Sequence, residues 1–188
     1  MLSSETDAQK FHEFMDRVGK DSRLFQSIQI KQFVPDDPTA PFEVDAVLDN
    51  KALSLNTVGY GVSQSLPIFV ELLDRPSESC FAIQQPEVHL HPRAQAALGD
   101  VFFEMAGRDK KRFLIETHSD FAIDRFRMTC RSKESNVPSS QILFFERRDK
   151  HNVVTPLPID SSGEITAEQP SSYRDFFVRE ELRLLGAE

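Results

Sequence analysis

The stretch FAIQQPEVHLHP, residues 81–92, begins as an apolar run and stops abruptly at two amides, a proline, a glutamate and two histidines. An apolar strand that ends in polar side chains delivers them to the edge of a sheet, where open α/β sheets bind their ligands. The first delivered here, Gln84 and Gln85, neither ionise nor act as bases. The stretch reads as an active-site strand with amides where acids are expected.

Working outward, residues 79–84 are apolar and too short for an independent helix, which predicts a buried strand. Ala94, Ala97, Leu98, Val101, Phe102 and Met105 fall on one stripe of a helix predicted from Arg93 to Gly107. RFLIET (112–117) predicts a second buried strand, and HSDFAIDRFRMTC (118–130) a helix after it. Upstream, NTVGYGVSQSLPIFVELL (56–73) predicts a glycine-containing turn ending at Ser63 and an apolar helix to Leu73, with Pro67 confined to its first turn. This order predicts parallel strands joined by crossover helices, in a sheet covered on both faces.

Towards the N-terminus, Phe11, Phe14, Met15 and Val18 recur at helical spacing with Gly19 as the stop. A strand over 24–34 and a hairpin over 42–55, turning at Asp49-Asn50 with Phe42, Val44, Ala46 and Leu48 on one face, complete that part. Towards the C-terminus, strands are predicted at 141–147 and 153–159, and a helix at 173–185 with Phe176, Phe177, Leu184 and Leu185 on its core face. The expected organisation is 1–55, an N-terminal helix and antiparallel strands; 56–138, a central α/β part; and 139–188, an appendage.

With 39% hydrophobic residues and 16 phenylalanines, 188 residues are enough for a sizeable core. A net charge of −8 argues against bulk nucleic-acid affinity, which needs clustered Lys and Arg. The basic cluster Arg108, Lys110, Lys111 and Arg112 reads as a solvated helix-to-strand turn. Cys80 and Cys130 make no disulfide framework. No apolar run approaches the ~18 residues of a membrane span, and the polar first residues lack a secretory core. A soluble, cytoplasmic chain without membrane contact is expected.

Because the two buried strands are consecutive and joined by one helix, QQPEVHLH and ETHSD are expected on one rim of the sheet. The turn VGYGVSQ just before them offers close approach at Gly59 and Gly61 and free helix N–H groups for an anion. Together, GYGVSQSLPIFVELL, FAIQQPEVHLHPRAQAALGD and RFLIETHSDFAIDRF resemble the C-terminal half of an ABC-type ATPase head. The nearest likeness is to the overcoming-lysogenization-defect and SMC-like bacterial ATPases, and GEITAEQPSSYRDFFVREELRLLG resembles the short terminal domain of one such subgroup. The resemblance covers residues 8–188.

That resemblance implies an α/β fold: a partial P-loop NTPase parallel sheet with crossover helices, an N-terminal helix and hairpin, and a small strand–strand–helix appendage. It implies ATP and Mg²⁺ as cofactors. Val58 to Gln64, with Gly59, Gly61, Ser63 and Gln64, stand where the signature loop caps the γ-phosphate held by the other protomer. Gln84 stands where an acid supports magnesium, through water, and Gln85 where a glutamate activates water. His91 and Pro92 match the dimer-facing loop, and His118 the switch histidine at the γ-phosphate. An amide at 84 hydrogen-bonds a metal-bound water without bringing charge; one at 85 orients water but cannot take its proton. Glu87 and Glu116 flank the same strand ends and are the candidates for the missing carboxylate.

No G-x-x-x-x-G-K-[ST] occurs in the sequence; Gly19-Lys20, its only Gly-Lys pair, has Phe14 and Asp21 at the other key positions. The resemblance puts the Walker A strand and helix before residue 1, so the chain reads as half of a head. Its partner would be a Walker A-bearing polypeptide or a second copy of an ATPase head, with nucleic acid reached only through that partner. The strand at 112–117 is then an open edge, to be filled by another polypeptide, by a second copy, by nothing in a fragment, or by residues 24–55 folding back. Two rival readings remain at this point. One is a non-catalytic interaction subunit or remnant, favoured by the paired amides and the missing P-loop; the other is a metal-dependent hydrolase using Glu87, His89, His91 and His118.

Overall fold

The computed structural model describes residues 5–35, 37, 39–133 and 135–186, with the side chains of 5–7, Phe176 and Phe177 outside that description. The chain divides into two compact units, Met1–Thr129 and Cys130–Glu188. The first unit opens with α1 (Glu5–Ser22), which buries Phe11, Phe14, Met15 and Val18 at i, i+3, i+4 and i+7. The helix runs through Gly19 instead of stopping there. A Cβ on Gly19 would lie 2.5 Å from the Phe25 carbonyl oxygen, so this glycine is a packing site for the returning chain.

Phe25 leads into β1 (Ser27–Gln32), which pairs antiparallel with β2 (Phe42–Leu48); β2 pairs in turn with β3 (Lys51–Ser54). The β2–β3 hairpin turns at Asp49 and Asn50, at φ 49° and 61°. Two left-handed residues match the natural twist of paired strands, which explains this dipeptide. Ile28 and Ala46 face each other in register and are buried, with Val44 and Leu48 packed against the same core. Phe42 was expected on that face but is 60% exposed, because it begins β2 opposite Gln32, beyond the covered part of β1.

Next, α2 (Tyr60–Asp74) buries Val62, Leu66, Phe69 and Leu72. It starts at Tyr60 and not after Ser63, so Pro67 lies well inside it and not in its first turn. The ring is on the exposed side, and the Ser63 carbonyl receives no N–H from position 67.

The centre of this unit is β4 (Cys80–Gln84), α3 (Pro92–Arg108), β5 (Arg112–Glu116) and α4 (Asp120–Ser132). β4 and β5 are parallel, as the crossover reading requires, with Gln84 opposite Glu116. Every apolar position of the α3 stripe is buried. Beneath it Phe81 and Phe113 stack at 5.5 Å, and Phe102 of α3 sits 5.2 Å from the Phe113 ring. An ion pair of Arg17 with Glu104 at 2.6 Å joins α1 to α3.

Only this one face of the pair is covered. Cys80, Ala82, Gln84, Arg112, Leu114 and Glu116 alternate onto the other side and are exposed, Leu114 by 67%. The expectation of cover on both faces fails, since these side chains are exposed. Residues 24–55 do not fold back onto β5 either; their strands pair with one another.

In the basic cluster at the α3–β5 turn, Arg108, Lys110 and Arg112 are exposed as expected, and Lys111 is the exception. Arg108 pairs with Glu104 and Asp109, and Lys111 is buried, donating to the Leu72 carbonyl at the end of α2 at 2.6 Å.

The second unit contains the antiparallel pair β6 (Ser140–Arg148) and β7 (His151–Ile159), then α5 (Asp175–Leu184). Tyr173, just before α5, packs edge-on against Phe144 at 5.2 Å. Leu184 and Leu185 are exposed, correcting the expected core face of α5, since the helix ends there; the Phe176 and Phe177 side chains lie outside the described residues. Both cysteines are free. Among the described residues no helix is long and apolar enough to cross a membrane.

Candidate functional site

The polar tips of β4 and β5 meet on one rim. Gln84 and Glu116 are register neighbours on parallel strands, so both side chains leave the same uncovered face and both are exposed. The Gln85 N–H then donates to the Glu116 carbonyl at 2.8 Å, carrying the pairing one residue past the strand.

At that point the backbone turns sharply. Gln85 has φ 46° and His89 φ 66°, left-handed values that cost a residue with a side chain about 1–3 kcal/mol when tertiary contacts hold them. Two tight turns follow one another, with Val88 N–H donating to the Gln85 carbonyl at 3.2 Å and Leu90 N–H to the Glu87 carbonyl at 3.0 Å. Buried Pro86 fixes the start of this loop. Its end is fixed by His91, which caps α3: its Nδ1 accepts from the Ala94 N–H at 3.4 Å, and Pro92 occupies the first helical position.

Glu87 turns inward. It is 8% exposed, and its Oε1 accepts the His118 backbone N–H at 2.7 Å; its Oε2 is buried and has no protein partner among the described residues. His118 itself, on the turn between β5 and α4, is exposed at the rim. Gln95, in the first turns of α3, donates to the Leu90 carbonyl at 2.8 Å and accepts from the Ser119 hydroxyl at 2.7 Å. Ser119 Oγ also receives the Ala122 N–H and so starts α4.

The glycine turn abuts the same loop. A Cβ on Gly61 would lie 3.0 Å from the His89 carbonyl, and the Tyr60 ring sits 5.4 Å from the His89 imidazole. Gly59 caps α2 in extended conformation with no side-chain cap, and nothing lies within 4 Å of where its Cβ would be. Gln64 is exposed, and the Ser63 hydroxyl donates to the Tyr60 carbonyl at 3.2 Å. Thus the three segments 59–64, 84–91 and 116–119 form one connected surface.

Glu87, His89, His91 and His118 do not converge as metal ligands. Glu87 faces the His118 backbone, His89 packs on Tyr60, and His91 caps α3; among the described residues no group of three acids, histidines or cysteines gathers about one point. The hydrolase reading loses its ligand set. The rim does suit a magnesium-bound phosphate: Glu116 and Gln84 present a carboxylate and an amide side by side, the oxygen donors that ion takes alongside waters. One open depression, about 710 Å³, is lined by Asp16, Gly19, Lys20, Arg23, Gln26 and Asp49 among others, and by none of the rim residues. Gly19-Lys20, the one Gly-Lys pair, lies inside α1, beside that depression, and not in a phosphate loop.

Sequence reading missed Gln95 and Ser119. The available signal was an amide set among the small buried residues of PRAQAALGD, at a point of the stripe where nothing polar is needed for packing.

Comparison with known families matches residues 2–123 to the AAA ATPase domain. No curated protein matches the sequence. Among solved structures, an SMC ATPase studied for ATP-driven dimerization and DNA-stimulated activation aligns over 95% of this chain and 92% of its own, at 12% identity and TM-score 0.59. The Smc head domain of Pyrococcus furiosus, with an extended coiled coil and bound to the C-terminal domain of ScpA, aligns over 95% of this chain at 16% identity and TM-score 0.60; the match spans 38% of that chain. An Smc head bound to the C-terminal winged-helix domain of ScpA aligns over 84% of this chain and 44% of its own, at 15% identity and TM-score 0.61. With the family match over residues 2–123 and this shared architecture, the chain belongs to the AAA ATPase domain family and has the α/β, P-loop NTPase fold of SMC-type heads.

Proposed function

We propose that this chain contributes one side of a composite ATP site of the ABC/SMC type, and that a Walker A-bearing segment supplies the phosphate grip. That segment belongs to another polypeptide or to a second ATPase head. The supporting observation is the in-register pair Gln84–Glu116 on the same rim as Gln85 and His118, beside a strand edge unpaired among the described residues. Gly59, Gly61, Ser63 and Gln64 would meet the γ-phosphate of nucleotide held across a head interface, and His91 would face that interface.

When bound, Mg²⁺ would supply positive charge against the developing charge on the phosphates. Glu116 would hold it directly or through water, and Gln84 through a bound water. Gln85 would orient the attacking water, and His118 would donate to the γ-phosphate. With no base at position 85, the site favours holding ATP over hydrolysing it. A purely structural role in a larger ATPase is the second reading, carried by the same two amides.

Calorimetry with Mg²⁺ and ATP tests the proposal. The isolated chain is expected to show no binding or very weak binding, and a Walker A-bearing segment is expected to restore it. Micromolar binding by the isolated chain, or no binding after that segment is added, would refute the composite site.

A further inference from the structure

We infer that Glu87 and Gln95 are positioning residues: a two-point clamp that locks the loop after β4 to the turn carrying His118. The inference deepens the proposed nucleotide reading by naming what holds its histidine, yet its geometry stands without any ligand.

Glu87 makes the first point. Its carboxylate reaches across 31 residues of sequence to the His118 N–H, and its burial excludes the water that would otherwise compete for that donor. A carboxylate acceptor bonds an amide about twice as strongly as a neutral one. Burying a carboxylate costs free energy, so packing alone does not explain a glutamate here. An apolar residue of similar volume would fill the space without that cost, but it could not hold the His118 amide.

Gln95 makes the second point. Its two ends read the two loops separately, the NH₂ on the Leu90 carbonyl and the oxygen on the Ser119 hydroxyl. Neither a carboxylate nor a lysine could do both, since the task needs one donor and one acceptor on the same group. The bonds fall on either side of His89 and at His118 and its neighbour, so the backbone that carries both exposed imidazoles is held from beneath. Because Gly61 and Tyr60 rest on His89, the glycine turn is tied into the same assembly.

Selective ¹⁵N labelling of the five histidines in the full chain gives five backbone amide signals, and His118→Gln identifies the one that matters. In Glu87→Ala the His118 amide proton is expected to move upfield and exchange with solvent roughly tenfold faster or more. Glu87→Gln keeps an acceptor oxygen and is expected to restore most of the protection while losing the downfield shift. Gln95→Ala is expected to move the His89, His91 and His118 signals together and leave those of His12 and His151 in place. An unchanged His118 exchange rate in folded Glu87→Ala overturns the clamp, as does a Gln95→Ala effect confined to one loop. Should Glu87→Ala fail to fold, an unmoved His118 proton in Glu87→Gln overturns it equally. No nucleotide is involved, so failure here is distinguishable from failure of the composite site.

Discussion

Gln85 combines a strained backbone with a side chain that cannot accept a proton. Its left-handed φ aims it out of the strand direction just after its N–H has bonded Glu116. In the proposed site this conformation holds an amide where general-base chemistry needs a carboxylate. A positioned base contributes about 10²–10⁴-fold, so Gln85→Glu in the completed assembly is expected to raise ATP turnover by roughly a hundredfold or more. A phosphate-release assay checks this against wild type with the same Walker A-bearing segment; equal rates would remove position 85 from the chemistry. That Gln84 and Gln85 sit at the sheet rim was legible in the sequence, because an apolar run that breaks into polar residues can end a strand in only one way. The inward turn of Glu87 was not legible, since burial of a carboxylate depends on a donor 31 residues away.

At the scale of elements, Lys111 decides how α2 is seated. Its ammonium caps the last turn of that helix through the Leu72 carbonyl, where a positive charge also meets the helix dipole favourably. Burial, partly offset by Asp109, holds its pKa below the ordinary lysine value. The sign follows: in the alkaline window between the folded and the unfolded pKa the unfolded chain binds the extra proton, so stability rises with pH across that window and then levels. Lys111→Ala is expected to lose about 1–3 kcal/mol at neutral pH, by stranding the Leu72 carbonyl, and to abolish the alkaline rise. Urea melts at pH 7 and in the alkaline range measure both effects. The elements of the first unit were largely readable, since the 3.6-residue stripe of α3 and the Asp49-Asn50 turn each have a local cause. Gly19 and Pro67 were misread by local rules, because a tertiary contact with Phe25 and an exposed helix face overrode them. Lys111 was taken as solvated for the same reason: its partner is a carbonyl 39 residues away.

For the whole molecule, the feature that bears on association is the uncovered side of β4 and β5. Leu114 stands 67% exposed between Arg112 and Glu116 on a strand whose edge is unpaired among the described residues. Such an edge templates pairing with another chain. Self-association that grows with concentration is therefore expected in sedimentation, and Leu114→Lys is expected to shift the chain towards monomer while changing stability by no more than about 0.5 kcal/mol. A variant that associates as wild type does would place the contact elsewhere. The lack of cover on that face could not be read from the alternation Cys80 to Gln84, since an apolar run describes what a strand can bury and not what is there to bury it. One consequence follows from Pro67. Because α2 is fastened at its far end by Lys111 and leans on the His89 loop at its near end, the missing rung at Ser63 lies between two anchorages. A helix bends most readily at such a missing bond, so flexure of this rod is expected between its leading turn and the seat at Leu72.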